Sequence, residues 1–219
     1  MKYFFWDIDG TLLDTSRGVK NAFIYAMGTA GYDLPSDELM TEAIGPQMED
    51  GFAQIFKVKS SDVDKCVGLF CKYYSEKGFR ESEPFPGTME ALKLVHELGD
   101  KNIMASMKLD EHCEQCLKYF GFWKYVDNMF AANVSRGLVD KDSELSMALR
   151  EIGMSPADCV MTGDRRSDIE AGIKNGMRTV AAEFGFGPDD EFDGIPVDRH
   201  VVRSTDLTGM VREFSLRGF

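Results

Sequence analysis

The first fourteen residues, MKYFFWDIDGTLLD, constrain the fold of this chain more than any other stretch. An apolar run from Tyr3 to Trp6, with no polar residue alternating through it, suits a strand buried on both faces of a parallel sheet. It meets Asp7 and Asp9, then Gly10 and Thr11. Sites in open α/β sheets collect at the carboxyl ends of the strands, so these two carboxylates stand where a catalytic edge belongs. The same residues also fit a strand followed by an ordinary Asp/Gly turn. The rest of the chain decides between the two.

Residues 15 to 82 are patterned for helices. Val19, Ala22, Phe23, Ala26, Met27 and Ala30 recur at helical spacing and Gly31 supplies a stop. Pro35 and Ser36 open a second, short helix, and Pro46 a third that reaches about Phe56. A fourth, capped by Ser60 or Ser61, carries Val63, Cys66, Val67, Phe70, Tyr73 and Tyr74 on one face. These helices describe a small bundle inserted after the first strand.

Beyond the PFPG at residues 84–87 the pattern alternates. Strands are expected at 102–106, 129–132, 159–162, 178–182 and 200–202, with helices at about 88–98, 110–120, 168–175 and 205–214. A further helix follows a loop carrying Lys141, with Leu145, Ala148, Leu149 and Ile152 on one face. The expectation is an α/β Rossmann-like parallel sheet with helices on both faces, formed by residues 1–15 and 83–219, plus a helical domain at 16–82.

Charge narrows the function. With 25 Lys and Arg against 37 Asp and Glu, the net charge of −12 argues against binding a nucleic acid polymer or an anionic membrane. The opening apolar run is too short for a signal peptide or a membrane span, so a cytoplasmic location is expected. Five cysteines without a regular framework fit reduced thiols. Cys113 and Cys116 form a CxxC, but no second pair stands at zinc spacing, and the pair reads as one face of a surface helix.

Four strands thus end in polar groups that converge on one sheet edge: Asp7 and Asp9, Ser106, the Lys141 loop, and Gly163 to Asp168. Singly, each fits a turn or a solvated charge; jointly, in this order, they do not. The pattern resembles the haloacid dehalogenase-like hydrolase superfamily over almost the whole chain. Asp7-Ile8-Asp9-Gly10-Thr11 matches its DxDGT motif, Ser106 its second motif, Lys141 its third, and Gly163-Asp164 with Asp168 its GDxxxD. The stretches FPGT, LKYFGF and GDRRSD look most like the phosphoglycolate phosphatase-like branch, whose helical cap the insert resembles. SMKL, starting at Ser106, departs from relatives that carry a Pro after the Lys.

The resemblance implies a Mg2+-dependent phosphatase that hydrolyses a small phosphate monoester through an aspartyl phosphate. It makes Asp7 the nucleophile and Asp9 the general acid and base. Ser106 and Lys141 hold the phosphoryl group, with Gly10, Thr11 and Met107 beside it. Mg2+ is held by Asp7, the carbonyl of Asp9 and Asp164, supported at one remove by Asp168. An acid at position 9 points to phosphoryl transfer rather than dehalogenation. Alternatives are a phosphomutase, disfavoured because residues 15–82 contain no His, a 5'-nucleotidase-like phosphatase, and a non-catalytic regulatory protein on the same scaffold. The resemblance also implies a cap that reads the substrate; a monomer or weak homodimer is expected.

Overall fold

In the computed structural model, which describes residues 1–217, Tyr3–Trp6 forms strand β1. The chain then turns through Gly10 to a short strand β2 (Leu13–Asp14). Phe4, Phe5 and Trp6 have no exposed surface, as a central strand covered on both faces requires. Contacts divide the chain into two units, one of Met1–Leu13 with the chain from Pro84 onward, the other of Asp14–Glu83.

The second unit is helical: α1 (Ser16–Ala30), α2 (Asp37–Glu42), α3 (Met48–Asp50) and α4 (Val63–Glu76). The apolar spacing of α1 turns Val19, Ala22, Phe23, Ala26 and Met27 inward. Phe23 meets Phe52, Phe56 and Phe70 at ring-centroid distances of 5.5, 4.9 and 4.8 Å, so aromatic packing joins three segments. The helix expected from Pro46 to Phe56 is only one α turn here. It widens into a π-helical turn at Gly51–Ile55, where the Phe56 N–H donates to the Gly51 carbonyl at 2.9 Å. Phe52 and Phe56, four residues apart, both reach the face that Phe23 occupies.

The chain returns through β3 (Glu83–Pro84), which pairs with β2 in a separate two-stranded ladder. There follow α5 (Thr88–Glu97), β4 (Lys101–Leu109), α6 (Asp110–Tyr119), β5 (Asn128–Ala132) and α7 (Lys141–Ile152). The chain continues with β6 (Cys159–Gly163), α8 (Arg166–Lys174), β7 (Arg178–Ala182), β8 (Arg199–Val201) and α9 (Leu207–Arg217). Six strands form one parallel sheet in the order β5-β4-β1-β6-β7-β8. This is the expected α/β fold, with β1 between β4 and β6. The Trp6 indole would be an orphan donor in so apolar a strand, but it donates to Asn102 Oδ1 at 2.9 Å. Asn102 in turn donates to the carbonyls of Leu92 and Tyr125, so this one amide ties β1 and β4 to their flanks.

Two further expectations change. β4 runs to Leu109 instead of stopping at Ser106, with a register shift against β5 between those residues. Cys113 and Cys116 do not lie on a surface face of α6: both are fully buried against the sheet side. Among the described residues no helix is long and apolar enough to cross a membrane.

Candidate active site

β1 delivers Asp7 immediately past its last residue. The Asp7 N–H donates to the Thr162 carbonyl at 3.0 Å, so pairing with β6 continues one residue further and fixes the carboxylate at the sheet edge. Asp164 follows the end of β6, and Asp168 lies in the first turn of α8. One oxygen from each of Asp7, Asp164 and Asp168 lies within 4.8 Å of the others, and all three side chains are buried.

Glycines make this approach possible. A Cβ on Gly10 would lie 2.1 Å from Asp164 Oδ2, and one on Gly163 would lie 2.2 Å from Asp168 Oδ2. Gly10 also holds a φ of +83°, which other residues adopt at a cost. The glycines of DxDGT and GDxxxD are therefore spacers for the carboxylates. Thr11 serves the same acid, its hydroxyl donating to Asp164 Oδ1 at 3.4 Å, while the Phe186 N–H donates to Asp164 Oδ2 at 2.8 Å.

Lys141 is not in a loop; it is the first residue of α7. Asp140 caps the helix by accepting from the Ser143 N–H at 2.7 Å, and Ser143 Oγ accepts from the Asp140 N–H at 3.1 Å. The capped start directs Lys141 inward, where its Nζ donates to Asp7 Oδ1 at 2.8 Å and to the Ala105 carbonyl at 2.6 Å. Asp168 Oδ1 lies 2.9 Å away, although the alignment leaves that oxygen without a hydrogen bond.

Charge is out of balance here. Burial pushes the Asp7 carboxyl up to about 7 against the pull of Lys141, and Asp168 adds to the rise. Asp164 is driven well above the carboxylate range by burial, then by Asp7 and Asp168. Burial works downward on the Lys141 ammonium, but Asp168, Asp7 and Glu144 outweigh it and hold it well above the lysine range. Clustered acids with one ammonium fit a hard divalent cation that takes few carboxylates and keeps other oxygen ligands.

Ser106 is buried in β4, beside the Ala105 carbonyl that holds Lys141, and its hydroxyl accepts from the Lys108 N–H at 3.4 Å. Met107 is half-buried and brings no strong donor. Asp9 is half-buried and its carboxylate stands outside the three-acid cluster. Lys108 Nζ donates to both of its oxygens, at 3.1 and 2.9 Å.

Two residues of this neighbourhood escaped sequence reasoning. Lys108 is one; as the second residue after Ser106 in a strand, it shares that residue's face, and that spacing was the available signal. Glu144 is the other, fully buried one turn after Lys141. A charged residue on the apolar face of α7, beside Leu145 and Ala148, was its signal.

Residues 4–182 match the family described as haloacid dehalogenase-like hydrolase. The chain belongs to this family. The phosphoglycolate phosphatase of Aquifex aeolicus is 24% identical over 86% of its own length and 85% of this chain. The tyrosine-protein kinase PtkA of Mycobacterium tuberculosis is 26% identical over 86% of this chain, which spans 64% of that protein's length. Among solved structures, one described as a predicted phosphatase from Clostridium acetobutylicum superposes with a TM-score of 0.89 at 21% identity, covering 97% of this chain and 98% of its own.

Proposed function

We propose that this hydrolase is a Mg2+-dependent phosphatase acting on a small phosphate monoester, phosphoglycolate phosphatase-like in kind, through an aspartyl phosphate on Asp7. The observation that carries the reading is the buried pairing of Asp7 Oδ1 with Lys141 Nζ at 2.8 Å, flanked by Asp164 and Asp168. A carboxylate attacking a phosphate must overcome like charge, and it needs fixed cations beside the transferring group.

Asp7 Oδ2 is the attacking oxygen in this account, because Oδ1 is engaged by Lys141. Lys141 and the Ser106 hydroxyl hold the phosphoryl oxygens where charge gathers. Mg2+, when bound by Asp7, the Asp9 carbonyl and Asp164 with Asp168 in support, supplies Lewis-acid neutralisation of the same oxygens. Asp9 protonates the leaving alkoxide and then takes a proton from the water that cleaves the Asp7 phosphate. Lys108, which donates to both oxygens of that carboxylate, orients it for these transfers. In this reading residues 14–83 form the cap that selects the organic part of the ester, and the protein works in the cytoplasm as a monomer or weak homodimer.

The likeness to PtkA marks a second acceptor, a tyrosine hydroxyl in place of water. Hydrolysis has a direct assay. Purified protein is incubated with p-nitrophenyl phosphate, 2-phosphoglycolate, nucleotides and sugar phosphates, with Mg2+ and with EDTA. Metal-dependent release of inorganic phosphate is expected, with Asp7→Asn at least about a thousandfold slower. No turnover of any ester with Mg2+, or equal turnover by Asp7→Asn, would sink the proposal.

A further inference from the structure

Glu144 is a buried acid without a task in the scheme above. It has no exposed surface, and neither carboxylate oxygen has a hydrogen-bond partner among the described residues. The cation it faces is Lys141, with Nζ 3.7 Å from Oε2, beyond hydrogen-bond length. Leaving a carboxyl group dry and unpartnered is a costly arrangement for a fold to keep. The apolar neighbours Leu145 and Ala148 on the same helix face show that packing alone would accept an uncharged residue.

The donor side of the pair is also incomplete. An ammonium has three N–H groups. Two are taken by Asp7 Oδ1 and the Ala105 carbonyl. For the third, Asp168 Oδ1 is near at 2.9 Å but not aligned, and it is itself an oxygen without a hydrogen bond. One donor thus stands between unsatisfied oxygens of two acids, Asp168 Oδ1 in the three-acid cluster and Glu144 outside it.

We propose that Glu144 is a positioning residue for Lys141, a reserve acceptor that takes the ammonium's third hydrogen bond when a metal ion draws Asp168 and Asp7 toward itself. The inference rests on the phosphatase reading for its catalytic part. Without Glu144, the ammonium holds to the same carboxylates that the cation needs, and the two compete. With it, Lys141 keeps three acceptors in the metal-loaded state and stays beside Asp7, while Asp168 is freed. The unsatisfied geometry of the metal-free site is then the resting half of an exchange, and the orphaned oxygens of Glu144 and Asp168 are its two ends.

The test uses the full chain and Glu144→Gln, Glu144→Leu and Glu144→Asp. Mg2+ affinity is measured without substrate by calorimetry, and kcat and KM are measured on the best ester. The neutral variants are expected to keep the wild-type circular dichroism and an equal or higher Tm. They should bind Mg2+ about tenfold more weakly and lose about tenfold in kcat with KM unchanged, the size usual for an outer partner of a metal site. Glu144→Asp should recover part of both.

Wild-type Mg2+ affinity in folded Gln and Leu variants overturns the proposal. So does failure of both neutral variants to fold, which would make Glu144 a packing residue. A wild type that binds Mg2+ yet hydrolyses no ester defeats the phosphatase reading alone, and the affinities still judge Glu144.

Discussion

Asp7 and Glu144 are held where burial opposes ionisation, up to about 7 for the first and about 8 for the second. The consequence for stability has a definite sign. In the metal-free protein the folded chain keeps protons on these groups that the unfolded chain releases above the ordinary values of 3.8 and 4.5. The stability they contribute is full below those values and is lost as pH rises through the raised ones. Metal-free protein should therefore melt lower at about pH 8.5 than at about pH 5.5, and Mg2+ should raise Tm more at the higher pH, because metal and proton compete for the Asp7 carboxylate. Thermal melts with EDTA and with Mg2+ check this; a flat Tm across that window would contradict it. Lys108 belongs to the same scale. Lys108→Met removes the ion pair that orients Asp9 while keeping most of the side chain's length, so kcat should fall about tenfold or more, measured on the best ester beside an unchanged Mg2+ affinity. The acids of the site were legible in the sequence, because an apolar strand that ends in carboxylates has few structural reasons to do so. Lys108 and Glu144 were not, because each lies inside an element whose other residues explain it: a strand read for its hydroxyl, and a helix read for its apolar stripe.

Among the elements, α7 carries the most consequence per residue, since its first turn brings both Lys141 and Glu144 to the sheet edge. That turn is set by the reciprocal bonds between Asp140 and Ser143. Asp140→Ala should cost about 1 kcal/mol of stability, read from urea unfolding, and should lower kcat as well, because Lys141 is the residue next to the cap. A variant that loses the stability but keeps full kcat would show that the cap does not aim the lysine. Helix α7 was legible from its apolar spacing, but its start was not: DKDS reads equally as a loop or as a cap with its first turn. Similar local ambiguity hid the end of β4, where SMKL has no marked stop, and the π-helical turn at Gly51–Ile55, where Phe52 packs against Phe23. CxxC misled for the converse reason: the flanking charges of α6 suggest a surface helix, while the two cysteines occupy its inward face.

For the whole molecule, the parallel sheet follows from alternation that any reader of the chain can see, and its strand order places β1 between β4 and β6. That order brings residues more than a hundred positions apart, such as Asp7 and Lys141, within 2.8 Å. No local pattern contains that distance. It was accessible only because the polar residues follow buried strands in a sheet whose strands all run one way. The same topology explains why an insertion of about seventy residues after β2 leaves the acid cluster intact: the sheet edge closes through β1, β4 and β6 alone. The proposed role of Asp7 as a covalent phosphoryl carrier is tested directly by an acid-quenched reaction with an ester labelled in its phosphoryl group, followed by peptide mapping. Label is expected on the peptide that contains Asp7, dependent on Mg2+ and absent in Asp7→Asn. Phosphate release at the full rate with no label on that peptide would contradict it.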